Sequence, residues 1–270
     1  MKHLILVVFA VLFTTQTYAL EENVEAVVDT LTPEKQGLEI ITELDKRDTG
    51  FGDSKARLKM RLTNRNGGES LRSLKLNTLE VVGEGDKSLT IFDSPRDIKG
   101  TAFLSFTHAL VPDEQWLYLP ALKRVKRISS SNKSGPFLGS EYAFEDLTSF
   151  EVAKFSYKYL RHEVVDGIDC YVIELTPKYE YSGYTRQISW VDKNRYIVTK
   201  VEYYDRKETL LKTQLFKEYK QYLNQYWRAS EQLMTNHQNG KSTALIWENY
   251  QFKTGLTNRN FDKNTLKRSR

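Results

Sequence analysis

Apolar and polar residues alternate along most of the chain beyond residue 54. The first run, KARLKMRL at residues 55–62, places alanine, leucine, methionine and leucine at every second position between lysines and arginines. A period of two puts the apolar side chains on one face of a β-strand and the charged ones on the other. Similar runs follow up to residue 252, separated by turn-forming pairs such as Asp166-Gly167. The pattern predicts ten or eleven successive strands in an antiparallel meander.

The residues before this region carry a helical period instead. Apolar residues of the segment 24–31 recur at i, i+3, i+4 and i+7, which predicts a short helix. Thr32-Pro33 has the form of an N-cap followed by proline at the first helical position. A second helix is therefore predicted from there to the glycines at 50 and 52, with Leu38, Ile41 and Leu44 on one face.

Two later segments depart from the simple alternation. Residues 209–223 fit both a helix and a strand, and we predict a strand because the neighbouring segments are strands. The tail from residue 258 carries many polar and few apolar residues, so it is predicted to fray.

The first nineteen residues have the form of a cleavable secretory signal peptide. A lysine precedes the apolar run of residues 4–13, and a polar stretch ending in Thr-Tyr-Ala follows it. We therefore predict that residues 1–19 are removed and that residues 20–270 fold as a single domain, since no linker-like break divides them. Cys170 is the only cysteine, so packing rather than an intramolecular disulfide must hold the domain together. These features favour the periplasm of a Gram-negative bacterium.

Composition and motifs argue against several classes of function. The formal net charge is +5. In an exported protein so modest an excess indicates contact with anionic lipid or an acidic partner rather than with nucleic acid, or it serves only solubility, which is the favoured interpretation. The histidines are scattered singly, and motifs for metal binding or nucleophilic catalysis such as HExxH and GxSxG do not occur in the sequence. We therefore predict no enzymatic activity, no catalytic residues, no cofactor and no metal site.

Aromatic residues are abundant, with sixteen tyrosines, thirteen phenylalanines and four tryptophans. They often share a face of a predicted strand, as Phe155, Tyr157 and Tyr159 do. Such residues can fill an ordinary β core, or they can line an apolar concavity that takes a ligand. The residues alone leave both interpretations open.

The stretch 116–147, WLYLPALKRVKRISSSNKSGPFLGSEYAFEDL, combines an aromatic strand, a basic run and an apolar loop flanked by glycines. Pro120 marks a sheet edge, a bulge or a strand end, because proline cannot donate to a β-ladder. A phenylalanine between glycines can fold back as a lid over a cavity, or it can anchor an ordinary ordered loop.

This stretch closely resembles the outer membrane lipoprotein-sorting protein family, which has a W-x-Y-L-P strand, a basic run, an F-x-G-S loop and an acidic E-D pair. A looser resemblance extends over nearly the whole mature chain. It implies a mainly β fold with a few short helices, in which a strongly curved antiparallel sheet forms an unclosed half-barrel with helices and loops capping its concave side. In related carriers of the Lol pathway the cavity shelters acyl chains without a cofactor or catalysis.

Within this stretch we predict two sets of functional residues. Candidates for the cavity wall or a lid are Trp116, Tyr118, Leu119, Phe137, Leu138, Gly139 and Phe144. Arg124 and Arg127 are candidates for contacting a headgroup or for anchoring the acidic pair Glu145-Asp146, and an ion pair within the chain is the favoured role.

The leading hypothesis is a periplasmic carrier that shelters the acyl chains of a lipid or lipoprotein for outer-membrane sorting or export. The expected partners are that acylated cargo and an inner-membrane export pump or outer-membrane acceptor, with transient membrane contact and no nucleic acid. The alternative is a non-transporting adaptor or sensor that works with an envelope export pump. A cavity of acyl-chain size favours the carrier, whereas a cavity packed shut by aromatic side chains favours the adaptor.

Overall fold

Strands dominate the computed structural model of the chain, which describes residues 31–264 and 266–268. Within these residues, thirteen strands form one antiparallel sheet. The strands are β1 (Asp53–Thr63), β2 (Glu69–Leu79), β3 (Lys87–Ser94), β4 (Ala102–Phe106), β5 (Glu114–Leu119), β6 (Arg124–Ile128), β7 (Phe155–Val165), β8 (Ile168–Pro177), β9 (Tyr184–Asp192), β10 (Val198–Asp205), β11 (Leu210–Tyr222), β12 (Tyr226–Asn236) and β13 (Ser242–Phe252).

The sheet follows the chain in two meanders. Its order is β6-β5-β4-β3-β2-β1-β13-β12-β11-β10-β9-β8-β7, so β1 and β13 join the two meanders at the centre. Strand β11 lies wholly within residues 209–223, which confirms the strand predicted there. The predicted meander is confirmed, although the described residues form more strands than the ten or eleven expected.

The sheet does not close into a barrel, as predicted, but it is also not strongly curled. Closure would require the edge strands β6 and β7 to pair. Instead, the chain leaves β6 at Ile128, crosses the inner face of the sheet and returns to β7 at Phe155. The prediction of a strongly curved half-barrel is therefore wrong. The β6–β7 connection occupies the space into which a more strongly curved sheet would have to fold.

One α-helix, α1 (Pro33–Asp48), lies within the described residues. The Thr32 hydroxyl accepts a hydrogen bond from the Lys35 amide at 3.5 Å, as the N-cap prediction requires. Ile40 and Ile41 are buried against strands β7–β9, whereas Leu38 is 42% exposed and does not belong to the buried face. The other capping elements are single 3₁₀ turns. The helix predicted at 24–31 lies outside the described residues, apart from its last position, and so does the predicted signal peptide.

The C-terminal tail covers the outer face of the sheet. Phe261 is 3% exposed and Leu266 is 1% exposed, and both pack with Leu104 and Trp116. For residues 258–264 and 266–268 the predicted fraying is therefore wrong, because their few apolar side chains complete a second core on the face opposite the β6–β7 connection. No helix among the described residues is long and apolar enough to cross a membrane.

Gly37 sets the distance between α1 and the sheet. A β-carbon at this position would lie 2.9 Å from the Tyr159 amide nitrogen and 3.0 Å from that of Lys158, both in β7. Real β-carbons do not approach backbone nitrogens so closely, so glycine lets the helix pack directly on the strand.

We predict that Gly37→Ala destabilises the protein by about 1–3 kcal/mol, the usual range for overpacking. Helix propensity alone predicts the opposite sign, a gain of roughly 0.5–1 kcal/mol. Urea unfolding of the variant measures the sign, with Glu39→Ala at an exposed position of the same helix as the control. A stability equal to or above that of the unsubstituted protein would show that α1 does not contact β7 this closely.

Candidate functional site

Residues 133–147, here called the inner segment, form the part of the β6–β7 connection that lies on the inner face of the sheet. Phe137 is 1% exposed, and its ring centroid lies 5.1 Å from that of Phe103 and 5.9 Å from that of Phe92. Tyr142 is 2% exposed, and the Phe137 amide donates to its carbonyl at 2.7 Å. Phe137 packs in the core against β3 and β4 and also lines an inner cavity, so of the two predicted roles its position fits a cavity wall and not a lid.

Leu138 and Gly139 form the turn of this hairpin-like segment. Both have left-handed backbone conformations, with φ of 49° and 80°. Leu138 is half-buried against the inner core, and its carbonyl accepts a hydrogen bond from Arg72 at 2.8 Å. Phe144 packs its ring at 5.5 Å from Phe137 and 5.6 Å from Phe103. The structure thus brings the predicted apolar residues of this loop together as one packed unit.

Asp146 ties the inner segment to strands β9 and β11. Its carboxylate lies 2.6 Å from the Lys212 ammonium, and both side chains are 4% exposed. The Tyr184 hydroxyl donates to the same carboxylate at 2.7 Å, and the Ala143 amide donates to it at 2.6 Å. The carboxylate is therefore both ion-paired and hydrogen-bonded, as a buried carboxylate requires.

Glu145 ties the segment to the turn between β8 and β9. Its carboxylate accepts hydrogen bonds from the Gly183 amide at 2.8 Å, the Ser182 hydroxyl at 2.9 Å and the Tyr179 hydroxyl at 3.2 Å. Burial raises the pKa of Glu145, and the negative charge of Asp146 adds to the effect. The two acidic residues therefore fix the segment to different strands.

Arg124 and Arg127 do not contact this acidic pair. Both are exposed on the edge strand β6, and Arg127 lies 3.4 Å from Glu114 on β5. The predicted ion pair with Glu145-Asp146 is wrong, because β6 turns these side chains to solvent while lysine and tyrosine side chains of the other meander reach the carboxylates. A headgroup contact by either arginine stays a prediction.

Trp116 and Tyr118 lie on the outer face of the sheet. Trp116 packs with Leu104 and the C-terminal tail, and Tyr118 borders the same cluster. Leu119 and its neighbour Leu117 pack against the inner core instead. The predicted cavity-wall role is therefore wrong for Trp116 and Tyr118, since the two apolar faces of β5 cannot be told apart by their period.

Two adjoining cavities lie between α1, the inner segment and the sheet. Cavity A has a volume of about 400 Å³ and is lined mainly by α1, β9–β12 and the tyrosines that surround the acidic pair. Cavity B has a volume of about 660 Å³ and is lined mainly by β1–β3, β12 and β13. Leu44, Asp48, Asp146, residues 148–150 and Gln232 border both cavities. The cavities were not predictable as two, because the inner segment divides the space.

Aliphatic and aromatic side chains line most of both cavities. In cavity A these include Ile41, Leu44, Phe155, Leu175, Val198, Val201, Phe216 and Trp227, and in cavity B they include Leu58, Met60, Leu74, Leu76, Leu245, Trp247 and Tyr250. Cavity A also carries polar groups, among them Lys133 and the buried pair Lys154–Asp113, whose ammonium and carboxylate lie 2.6 Å apart. The arrangement suits a ligand with a long apolar part.

The rim of cavity B is acidic. Asp86 lines it and joins two loops, since its carboxylate accepts from the Val81 amide at 3.1 Å and its amide donates to the Ser149 hydroxyl at 3.1 Å. Burial, together with Glu151 and Glu80 nearby, raises the pKa of Asp86 to about 7. Within residues 31–264 and 266–268, no group of histidine, cysteine and acidic side chains is arranged to hold a metal ion.

Comparison with known proteins gives relatives over most of the chain. A family model described as an uncharacterized protein matches residues 84–268. The chain is 55% identical to a domain from Vibrio parahaemolyticus described as an outer membrane lipoprotein-sorting protein domain, with 87% of this chain and 99% of that chain covered and a TM-score of 0.85. A DUF1329 family protein from Desulfovibrio piger is 31% identical, with 87% and 100% covered and a TM-score of 0.83.

A more distant structure shares the fold. A LolA superfamily protein from Nitrosomonas europaea is 20% identical over 87% of this chain and 99% of that chain, with a TM-score of 0.69. A search of the curated proteins finds no match. The similarities extend beyond the 116–147 stretch to nearly all of the described residues.

We predict that Asp146→Asn lowers the free energy of unfolding by about 3–5 kcal/mol, because it leaves the buried Lys212 ammonium without its counter-charge. The double variant Asp146→Asn/Lys212→Met should recover part of that loss. Urea denaturation measures both, with Glu114→Gln as the control, since its exposed pair with Arg127 is expected to contribute less than about 1 kcal/mol. Equal losses in Asp146→Asn and Glu114→Gln would contradict the anchoring role.

We also predict that Asp86 makes the protein less stable as pH rises. Its pKa is about 7 in the folded state and about 3.9 in an unfolded chain. Between those values the folded state binds more protons, so the free energy of unfolding falls as pH increases. Chemical denaturation at pH 5 and pH 8 should show a smaller difference for Asp86→Asn than for the unsubstituted protein. Asp97→Asn, at an exposed position, controls for the loss of one negative charge, and an unchanged difference in Asp86→Asn would refute the prediction.

Proposed function

The chain belongs to the outer membrane lipoprotein-sorting protein family, as its sequence resemblance predicted, and from that membership we propose that it is a periplasmic carrier of acylated cargo. The cargo is a lipid or lipoprotein whose acyl chains lie in cavities A and B during transfer towards the outer membrane. No catalytic step or cofactor enters this function.

The observation that carries the proposal is the pair of apolar cavities. Their volumes of about 400 and 660 Å³ lie within the roughly 300–1,000 Å³ of small-molecule sites. An acyl chain in water gains about 0.8 kcal/mol for each CH₂ group that is buried. A protein that shields such a chain therefore needs an apolar space of this size and no reactive groups.

Helix α1 and residues 148–154 form the cover of this space. Leu44 and Asp48 at the end of α1 border both cavities, and so do residues 148–150. Phe150 is 38% exposed and stacks on Phe155 with ring centroids 5.7 Å apart. We place the opening for cargo here, in the part of the predicted helix-and-loop cap that borders the cavities, and not at the buried Phe137.

A second function, docking to an envelope protein, is supported by exposed apolar residues at one rim. Val82 is 72% exposed, Leu110 is 88% exposed and Val111 is 58% exposed. Their two loops are joined by the Ala109 amide, which donates to the Glu84 carbonyl at 2.6 Å. An export pump or an outer-membrane acceptor could bind this rim. A carrier needs such a contact for transfer, whereas an adaptor would need nothing else.

We predict that Leu44→Trp weakens binding of a fluorescent fatty-acyl probe by about tenfold, or about 1.4 kcal/mol, because the indole fills the junction of the two cavities. The matched control is Leu38→Trp on the exposed side of α1, which should bind like the unsubstituted protein. Fluorescence titration measures both affinities, and thermal unfolding shows that both variants are folded. Equal binding by the two variants would remove the cavities from the proposal.

Native mass spectrometry of the mature protein, purified gently from its own periplasm, separates the carrier from the adaptor. A discrete co-purifying acylated species supports the carrier and identifies the cargo class by lipid extraction. A clean apo mass together with no binding of acyl probes supports the adaptor.

A further inference from the structure

Lys133 is a buried lysine in a segment whose sequence resembles a flexible surface loop. It lies in the polar run SSSNKSG at 129–135, yet the residue is only 7% exposed. The Lys133 carbonyl accepts a hydrogen bond from the Glu145 amide at 2.9 Å, so the anchored inner segment fixes the backbone of Lys133. The side chain lines cavity A.

The Lys133 ammonium has no counter-ion within the described part of the chain. Its nitrogen lies 3.7 Å from the centroid of the Tyr179 ring, and neither a hydrogen bond nor an ion pair joins it to any described residue. The neighbouring carboxylates have other partners: Glu145 accepts from Gly183, Ser182 and Tyr179, and Asp113 pairs with Lys154. Burial lowers the pKa of Lys133, while these carboxylates oppose the shift.

The other two buried lysines show how this fold treats an internal ammonium. Lys154 lies 2.6 Å from Asp113, and Lys212 lies 2.6 Å from Asp146. In each pair the carboxylate compensates the lysine charge, which would be destabilising if it were buried alone in a medium of low dielectric. Lys133 is buried to a similar degree and lines cavity A, but the nearby carboxylates of Asp113 and Glu145 are held by other partners, so a direct counter-charge can come from a ligand.

We infer that cavity A binds amphiphiles with a compact anionic headgroup, a carboxylate or a phosphate, and that Lys133 is the residue that binds this group. The inference rests on the proposed function and adds a class of cargo to it. The apolar residues of cavity A, such as Leu44, Val198 and Phe216, then contact the acyl chain while the headgroup lies beside Tyr179. A charge-assisted contact in a site shielded from water is stronger than the same contact on the surface.

Matched sixteen-carbon ligands test the inference without any substitution. Hexadecanoate, hexadecyl phosphate and hexadecanol are compared by competition against a fluorescent acyl probe. The two anions should bind about tenfold more tightly than the alcohol, the equivalent of one charge-assisted contact. Equal affinities for anions and alcohol would overturn the inference and leave the carrier function intact, whereas no binding of any of the three would remove the carrier function itself.

Lys133→Met and Lys133→Arg assign the preference to this side chain. Lys133→Met should lose the preference for anions and keep the affinity for hexadecanol, and Lys133→Arg should retain the preference. Lys126→Met, which removes an exposed charge on β6, is the control and should behave like the unsubstituted protein. A similar loss of affinity for anions and alcohol in Lys133→Met would indicate a structural role alone and overturn the inference.

Inorganic phosphate and acetate distinguish a headgroup site from a site for free anions. Neither should displace the acyl probe at concentrations at which hexadecyl phosphate does, because they lack the apolar chain. Displacement by inorganic phosphate that depends on Lys133 would show a free-anion site and overturn the assignment to an amphiphile.

Discussion

The buried ion pair between Asp146 and Lys212 is the contact on which the rest of this structure depends. It joins the inner segment to β11, and the adjacent residue, Glu145, joins the segment to the turn between β8 and β9. On the other side, Phe137 and Phe144 pack on β3 and β4. The segment thus connects both meanders of the sheet. With this connection in place, the sheet can leave its edge strands β6 and β7 unpaired.

The same segment explains why part of the interior is packed core and part is cavity. Where it packs its aromatic rings, buried side chains of both meanders form one continuous inner core. On either side, the space beneath α1 stays open as cavities A and B. An apolar cavity costs stability relative to a packed core, because its lining has fewer packing partners within the protein. A protein that keeps such space while anchoring its centre by buried charges resembles those that trade stability for a binding function.

The sequence predicted the positions of the strands better than the face of the sheet on which each side chain lies. The period of two located most of the strands, because pleating alone produces that period, whereas β11 also fitted a helix and was predicted as a strand only from its neighbours. The same period placed Trp116 and Tyr118 on the wrong face because both faces of β5 are apolar. The polar residues Lys212 and Gln214 share the inward face of β11 with Phe216, and that break in an apolar face was the available signal for a buried polar site. Its partner Asp146 is remote in sequence, so only the fold could identify the pair.

Release of cargo limits how tightly cavity A can hold an acyl chain. Polar side chains interrupt its apolar lining, and they satisfy one another: the Tyr203 hydroxyl donates to Gln214 at 2.7 Å, and the Gln214 amide donates to Gln232 at 3.3 Å. Polar groups that are already hydrogen-bonded gain no new bond from an apolar ligand and lose none when it binds. They therefore lower the affinity for an acyl chain without opposing its entry. Lys133 is different because its charge lacks a partner among the described residues. The chain is then held weakly along its length, and selectivity resides in its headgroup.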